Sequence, residues 1–238
     1  MSASEKLIFA LDVDGYEEAM KWVKKLKDYV RVFKVGKQLF TACGPNIVKE
    51  ILKNDCKVFL DLKFHDIPNT VSSAVIETAK LGVSIITIHA SGGRKMIEKT
   101  RKDVDEFCAE KGIPVPLIAA VTVLTSISEE DLAEIGVGFT AKEQVLRLAK
   151  LSLESGADAI VCSPLEISFL RNSLGNNFKI IAPGIRDRGT KDDQKRVMSA
   201  SDAIKAGADY IVVGRPIRNA PDPISAAEKI IGEIAGSN

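Results

Sequence analysis

Histidine and aromatic residues are scarce in this 238-residue chain, which has two histidines, one tryptophan and only 5% aromatics in all. With histidine at positions 65 and 89 alone, no metal-ligand spacing can be written around imidazoles. The four cysteines, Cys43, Cys56, Cys108 and Cys162, stand far apart. That excludes the paired spacing of a zinc site or a dithiol redox motif and leaves them as small apolar residues in a reducing compartment. No run of about 18 apolar residues is present to span a bilayer. Residues 1–6 are short and polar, unlike a secretory leader, so a cytoplasmic protein is expected. Charge of one sign is also lacking. A formal net charge of +1 supplies no general basic field for nucleic acid or a membrane surface, so any anion site must be built locally. Nor does a glycine-rich dinucleotide fingerprint follow the first apolar run, which ends Leu11-Asp12-Val13-Asp14-Gly15.

What the chain does have is alternation. Apolar, strand-like runs fall at 7–13, 30–35, 57–62, 84–89, 115–123, 159–162, 179–182 and 210–213. Between them lie segments of helical period, among them 15–27, 45–53, 70–80, 93–111, 141–155 and 202–206. In one of these, Ala19, Trp22, Val23 and Leu26 recur at spacings of three and four, the mark of a single buried helical face. The strand-like runs are apolar at nearly every position, as expected where both faces of a parallel sheet are covered. Eight such units, joined by right-handed crossovers, predict an α/β chain closed into a (β/α)8 TIM barrel, with residues 1–238 as one domain. The Gly-Ala-Asp segments at 156–158 and 207–209 predict helix-to-strand turns, where glycine suits the helix end.

Active sites of such barrels lie at the C-terminal ends of the strands. The polar residues that interrupt or follow the runs therefore carry the functional signal. They are Asp12, Lys34, Asp61 and Lys63, His89, the group Thr122, Thr125 and Ser126, then Pro183 and Arg186, and last Gly214 and Arg215. Residues two apart on a strand share a face, so Asp61 and Lys63 are predicted to point together into the barrel mouth, with Lys34 on the neighbouring strand beside Asp61. Asp66 follows in the loop before Pro68 opens a helix. The result is an expected array of Lys34, Asp61, Lys63 and Asp66 whose charges compensate one another, the condition for burying them. His65 is expected to pack, His89 to hydrogen-bond, and Trp22 to join the core.

The run Asp61-Leu62-Lys63-Phe64-His65-Asp66-Ile67-Pro68-Asn69-Thr70 closely resembles the signature of orotidine 5′-phosphate decarboxylases, of the bacterial monofunctional type. The resemblance extends to Ala10-Leu11-Asp12, Phe33-Lys34-Val35-Gly36, 121–126, 182–186 with Gln194, and 212–217. It implies cofactor-free, metal-free decarboxylation of orotidine 5′-monophosphate. Lys63 would donate a proton to C6, Asp61 would lie against the departing carboxylate, and Lys34 would hold Asp61 and the ribose. By the same likeness Asp12 binds ribose, Thr125 and Ser126 meet the pyrimidine beside Pro183, and Gln194 bridges base and phosphate. Arg215, the Gly214 N–H and Arg186 bind or enclose the phosphate. Asp66 and Thr70 reach the partner's site in a homodimer. The segment 187–193 is shorter and more charged than is usual for the family's phosphate loop.

Two rival readings share parts of this pattern. Metal-dependent sugar-phosphate decarboxylases and hexulose-phosphate synthases share the Asp-x-Lys-x-x-Asp run but resemble one another in an acidic residue where this chain has Lys34. A silent nucleotide-binding barrel would be expected to lose a member of the charged array, and all four members are present.

Overall fold

The computed structural model describes residues 1–186 and 198–237. Eight parallel strands close into a barrel in chain order, and β8 pairs back onto β1. They are β1 (Leu7–Ala10), β2 (Val32–Gly36), β3 (Lys57–Phe64), β4 (Ile85–His89), β5 (Leu117–Val121), β6 (Ala159–Val161), β7 (Lys179–Pro183) and β8 (Tyr210–Val213). Helices alternate with them on the outside, including Tyr16–Leu26, Pro68–Lys80, Arg94–Lys111, Ala141–Glu154 and Pro223–Ala235. Local chemistry sets their starts. Pro68 and Pro223 occupy first-turn positions where a missing N–H costs nothing. The Asp222 carboxylate caps the last helix by accepting from the Ile224 and Ser225 N–H groups.

The continuous apolar character of the strands resolves into two layers. Ile8, Val32, Phe59, Ile85, Ala119, Ala159, Ile181 and Val212, one from each strand, fill the barrel interior. Their sequence neighbours, such as Leu7, Phe9, Phe33, Leu60 and Ile86, face outward and join the helices in the larger core. Trp22 packs there half-buried, its ring 5.6 Å from that of Phe9. Strand alternation then dictates what comes next. Two residues beyond the interior layer stand Lys34, Asp61, Thr87, Val121, Val161, Pro183 and Gly214, one layer nearer the C-terminal mouth.

The two Gly-Ala-Asp segments are not only turns. The Asp158 carboxylate accepts from the Ile118 N–H and from Arg101, both at 2.8 Å. The Asp209 carboxylate accepts from the Ile180 N–H at 2.9 Å and from Arg171 at 2.7 Å. The same clasp thus ties strand start to strand start twice around the barrel. Each glycine adopts a left-handed φ, and a Cβ on Gly156 or Gly207 would meet the aliphatic part of its arginine at about 3 Å. Asp209→Ala would leave a strand N–H without its acceptor and a largely buried guanidinium without its counter-charge, held by backbone carbonyls alone. It is expected to lower stability by about 2–4 kcal/mol. Denaturant unfolding checks this, and an unchanged midpoint would remove the clasp from the account of barrel closure.

Candidate active site

The charged residues at the mouth meet in one connected group. The Lys63 Nζ donates to both Asp61 carboxylate oxygens at 2.7 Å. The Lys34 ammonium lies 3.8 Å from Asp61 Oδ2 and donates to Asp12 Oδ1 at 2.9 Å. Side chains of Lys34 and Asp61 are only 12% and 13% exposed, so each needs opposite charge beside it. The chain of charges therefore runs Asp12–Lys34–Asp61–Lys63. The expected fourth member, Asp66, is not part of it. Asp66 is exposed, and its carboxylate accepts from the Ile67 N–H beside it. It lies beyond the end of β3, where the strand no longer directs side chains into the mouth.

Asp61 and Lys63 do converge, but not by strand alternation as expected. Pairing of β3 with β4 steps from Leu60↔Ile86 to Phe64↔Ile88, four residues against two. Within that irregularity Lys63 takes a left-handed φ of 52°. Such a conformation costs a non-glycine residue about 1–3 kcal/mol. The Lys63 N–H donates at 2.8 Å to the Thr87 hydroxyl, which itself donates to Asp61 Oδ1 at 3.0 Å. Thr87 was not singled out from sequence. The available signal was a lone hydroxyl in the apolar run Ile85-Ile86-Thr87-Ile88, at a position that strand alternation turns inward.

Asp61, Lys63 and Lys34 open onto a cavity of about 250 Å³ that is also lined by Val123, Thr125, Ser126, Cys162 and Pro183. Burial and the Glu166 carboxylate push the Cys162 thiol up, so it stays neutral. Space around the charges comes from two glycines. A Cβ on Gly36 would sit 3.2 Å from the Lys34 ammonium, and one on Gly214 would meet Ala10 and approach the Asp12 carboxylate. Arg215 follows Gly214 at the end of β8 and is half-buried. Arg186 is buried behind this rim, beside Ala200, Val213 and Pro216, not on the cavity wall. Thr70 is exposed on the helix after β3. Gln194 and the segment 187–193 lie outside the described residues.

The histidines differ from expectation. His65 is exposed rather than packed, and its ring lies 5.5 Å from that of His89. His89 is half-buried and does not line the cavity. Burial, His65 and the nearby lysines Lys37 and Lys63 pull its imidazole below the usual range. A larger cavity, about 480 Å³, opens at the opposite end of the barrel around Val32, Ile85, Leu117 and Tyr210. Its lining is mainly apolar, with Lys80 and the Lys57–Glu5 ion pair as its charges. It lacks the convergent donors and acceptors of the mouth, which is therefore the candidate site.

Fold and site together define a (β/α)8 barrel with a lysine–aspartate–lysine array facing a cavity at the C-terminal ends of its strands. Residues 5–230 match the family described as "Orotidine 5'-phosphate decarboxylase / HUMPS family", and the chain belongs to that family. It is 49% identical over 234 residues to a protein from Geobacter metallireducens named orotidine 5′-phosphate decarboxylase, covering 98% of this chain and 97% of that one. A protein of the same name from Syntrophotalea carbinolica is 48% identical over 239 residues, covering 100% and 98%. Among solved structures, orotidine 5′-phosphate decarboxylase from Lactobacillus acidophilus superposes with a TM-score of 0.86 at 40% identity, covering 97% of this chain and 99% of that one.

Two ammonium groups act on Asp61 in opposition to burial. Burial is the largest influence and pushes its carboxyl up. Lys34, Lys63 and the Thr87 hydroxyl together outweigh it and hold the carboxyl below its ordinary 3.8. A depressed folded pKa means that ionised Asp61 contributes stability above the unfolded value and loses it as pH falls through the folded one. Lys34→Met is expected to raise the Asp61 carboxyl and move that loss to higher pH. Carbon-13 titration of the carboxylate, with acid unfolding beside it, reads both; an Asp61 that titrates as in the wild type would show that Lys34 is not its counter-charge.

Proposed function

We propose that this chain decarboxylates orotidine 5′-monophosphate to uridine 5′-monophosphate in pyrimidine biosynthesis, without metal or cofactor, with Lys63 supplying the proton. The observation that carries this reading is the contact of one buried carboxylate, Asp61, with two ammonium groups at the wall of a cavity. The names of the relatives support the substrate and the class of reaction, a carboxy-lyase.

In the proposed step the bond from C6 to the substrate carboxylate breaks, carbon dioxide leaves, and the electron pair stays on C6. The Lys63 ammonium stabilises that charge as it develops and then gives C6 a proton, regaining one from solvent. Asp61 facing the substrate carboxylate adds repulsion in the ground state. At ~4 Å and an effective dielectric of about 20 this is roughly 4 kcal/mol. Enzymes lower barriers by about 8–23 kcal/mol, so repulsion is not the main contributor; phosphate and ribose binding offset that strain while Lys63 stabilises the developing carbanion.

The cavity, about 250 Å³, is below the usual range of about 300–1,000 Å³ for ligand pockets. It suits the pyrimidine against Thr125, Ser126 and Pro183. The ribose then extends toward Lys34 and Asp12. Phosphate meets Gly214 and Arg215 after β8, where such barrels commonly bind it, with Arg186 behind and Gln194 completing the site. Against the metal-dependent rivals stands Lys34. Its ammonium lies where a divalent cation would need an acidic ligand, and the two would repel.

We further propose a homodimer in which Asp66 and Thr70 serve the partner's site, in a cytoplasmic protein that binds neither nucleic acid nor membrane. Asp66, Thr70 and, at 67%, Ile67 are exposed, as residues that reach a partner's site must be in a single subunit. Among the described residues no helix is long and apolar enough to cross a membrane.

Loss of orotidine 5′-monophosphate absorbance in excess chelator is expected with the wild type and not with Lys63→Ala. The dephosphorylated nucleoside should turn over more slowly, because phosphate binding helps to close the site. Wild type inactivated by chelator would point to the metal-dependent rivals, and activity surviving in Lys63→Ala would remove its role as donor. Ile67→Asp is expected to shift sedimentation toward a monomer with reduced activity; an unchanged species would place the dimer contact elsewhere.

A further inference from the structure

We infer that Thr87 is a positioning residue for the reaction, holding the Lys63 backbone and the Asp61 carboxylate in their working relation through one hydroxyl. This rests on the proposed donor role of Lys63 and deepens it.

The hydroxyl of Thr87 is fully committed. Its oxygen accepts from the Lys63 N–H at 2.8 Å and its hydrogen goes to Asp61 Oδ1 at 3.0 Å. A hydroxyl has one proton to give, so the direction of both bonds follows from the two partners: an amide can only donate and a carboxylate only accept. Thr87 is fully buried, in the middle of β4 and opposite the small Ala119 of β5. Its backbone pairs with β5, and its neighbours Ile86 and Ile88 pair with β3, so the hydroxyl is a fixed reference point and not a mobile group.

Three features of the site depend on that point. Lys63 sits in a left-handed conformation that a lysine does not favour, within the stretch where β3 leaves register with β4. The bond to Thr87 ties this stretch to the neighbouring strand where the regular pairing lapses. Asp61 Oδ1 receives both the Thr87 hydroxyl and the Lys63 ammonium, which sets the plane of the carboxylate. Asp61 Oδ2 is thereby turned toward Lys34, 3.8 Å away. Strain on Lys63, rotation of Asp61 and reach toward Lys34 are thus coupled through a group that does not line the cavity and does not touch the ligand space.

Thr87→Val keeps shape and strand preference but removes both hydrogen bonds, whereas Thr87→Ser keeps the hydroxyl. With orotidine 5′-monophosphate and chelator, Thr87→Val is expected to lose about tenfold or more in kcat while KM changes by less than about twofold. Thr87→Ser should retain kcat within about threefold of wild type. A valine variant with wild-type kcat overturns the inference. So does a serine variant that falls as far as valine, because packing and not the hydroxyl would then be responsible. Amide hydrogen exchange supplies a readout independent of turnover. The Lys63 N–H should be protected in the wild-type protein and should exchange at least about tenfold faster in Thr87→Val, or in Thr87→Ala if valine does not fold. Solvent-like exchange in the wild type overturns the inference without any variant. Should the wild type fail to consume the nucleotide, the decarboxylase reading fails by itself, and the Lys63 exchange data alone decide whether Thr87 holds this segment.

Discussion

Everything at the barrel mouth depends on keeping one carboxylate ionised in a place where water scarcely reaches it. Asp61 has two ammonium neighbours and a hydroxyl, and their sum exceeds the opposing effect of burial. Removing one partner of a buried pair costs about 3–5 kcal/mol because the other charge is then stranded. The arrangement is therefore mutually enforcing: Lys34 is held by Asp61 and Asp12, and Lys63 by Asp61. Lys63, the proposed proton donor, is presented by the same contact that makes its partial burial tolerable.

A closed parallel barrel is well suited to this. Its interior is a stack of side-chain layers, one contribution per strand, and the apolar layer of Phe59, Val32 and Ile85 lies directly beneath the polar one of Asp61, Lys34 and Thr87. The lower layer excludes water from one side and lowers the local dielectric, which strengthens each charge interaction above it. Rigidity below and irregularity above meet at residues 60–64. There β3 leaves the register, and Lys63 reaches Asp61 from a backbone conformation that an ordinary strand would not supply.

The two ends of the candidate site are built differently. The base end is a small cavity with fixed charges, whereas the rim at the ends of β2 and β8 relies on absence: Gly36 and Gly214 lack the Cβ atoms that would crowd Lys34 and approach Asp12. At the end of β2, Lys34 joins the charge network through Asp12 and Asp61.

Much of this was legible in the chain itself. Near-continuous apolar runs separated by helical periods can be satisfied only by a parallel sheet covered on both faces, and eight of them close. The polar residues that end those runs fall at the mouth because strand direction is common to all eight. Sequence periodicity also named Asp61, Lys63 and Lys34 as neighbours, because compensated charge is the only stable way to bury them. What it could not determine was how Lys63 arrives there, since alternation assumes a regular strand and a break in pairing is a property of two strands together. For the same reason the partners of the Thr87 hydroxyl were not legible, Asp12 rather than Asp66 completes the charge chain, and the Gly-Ala-Asp turns proved to be clasps. Each of these is decided by a partner distant in sequence, and only the closed barrel brings such partners within hydrogen-bonding distance.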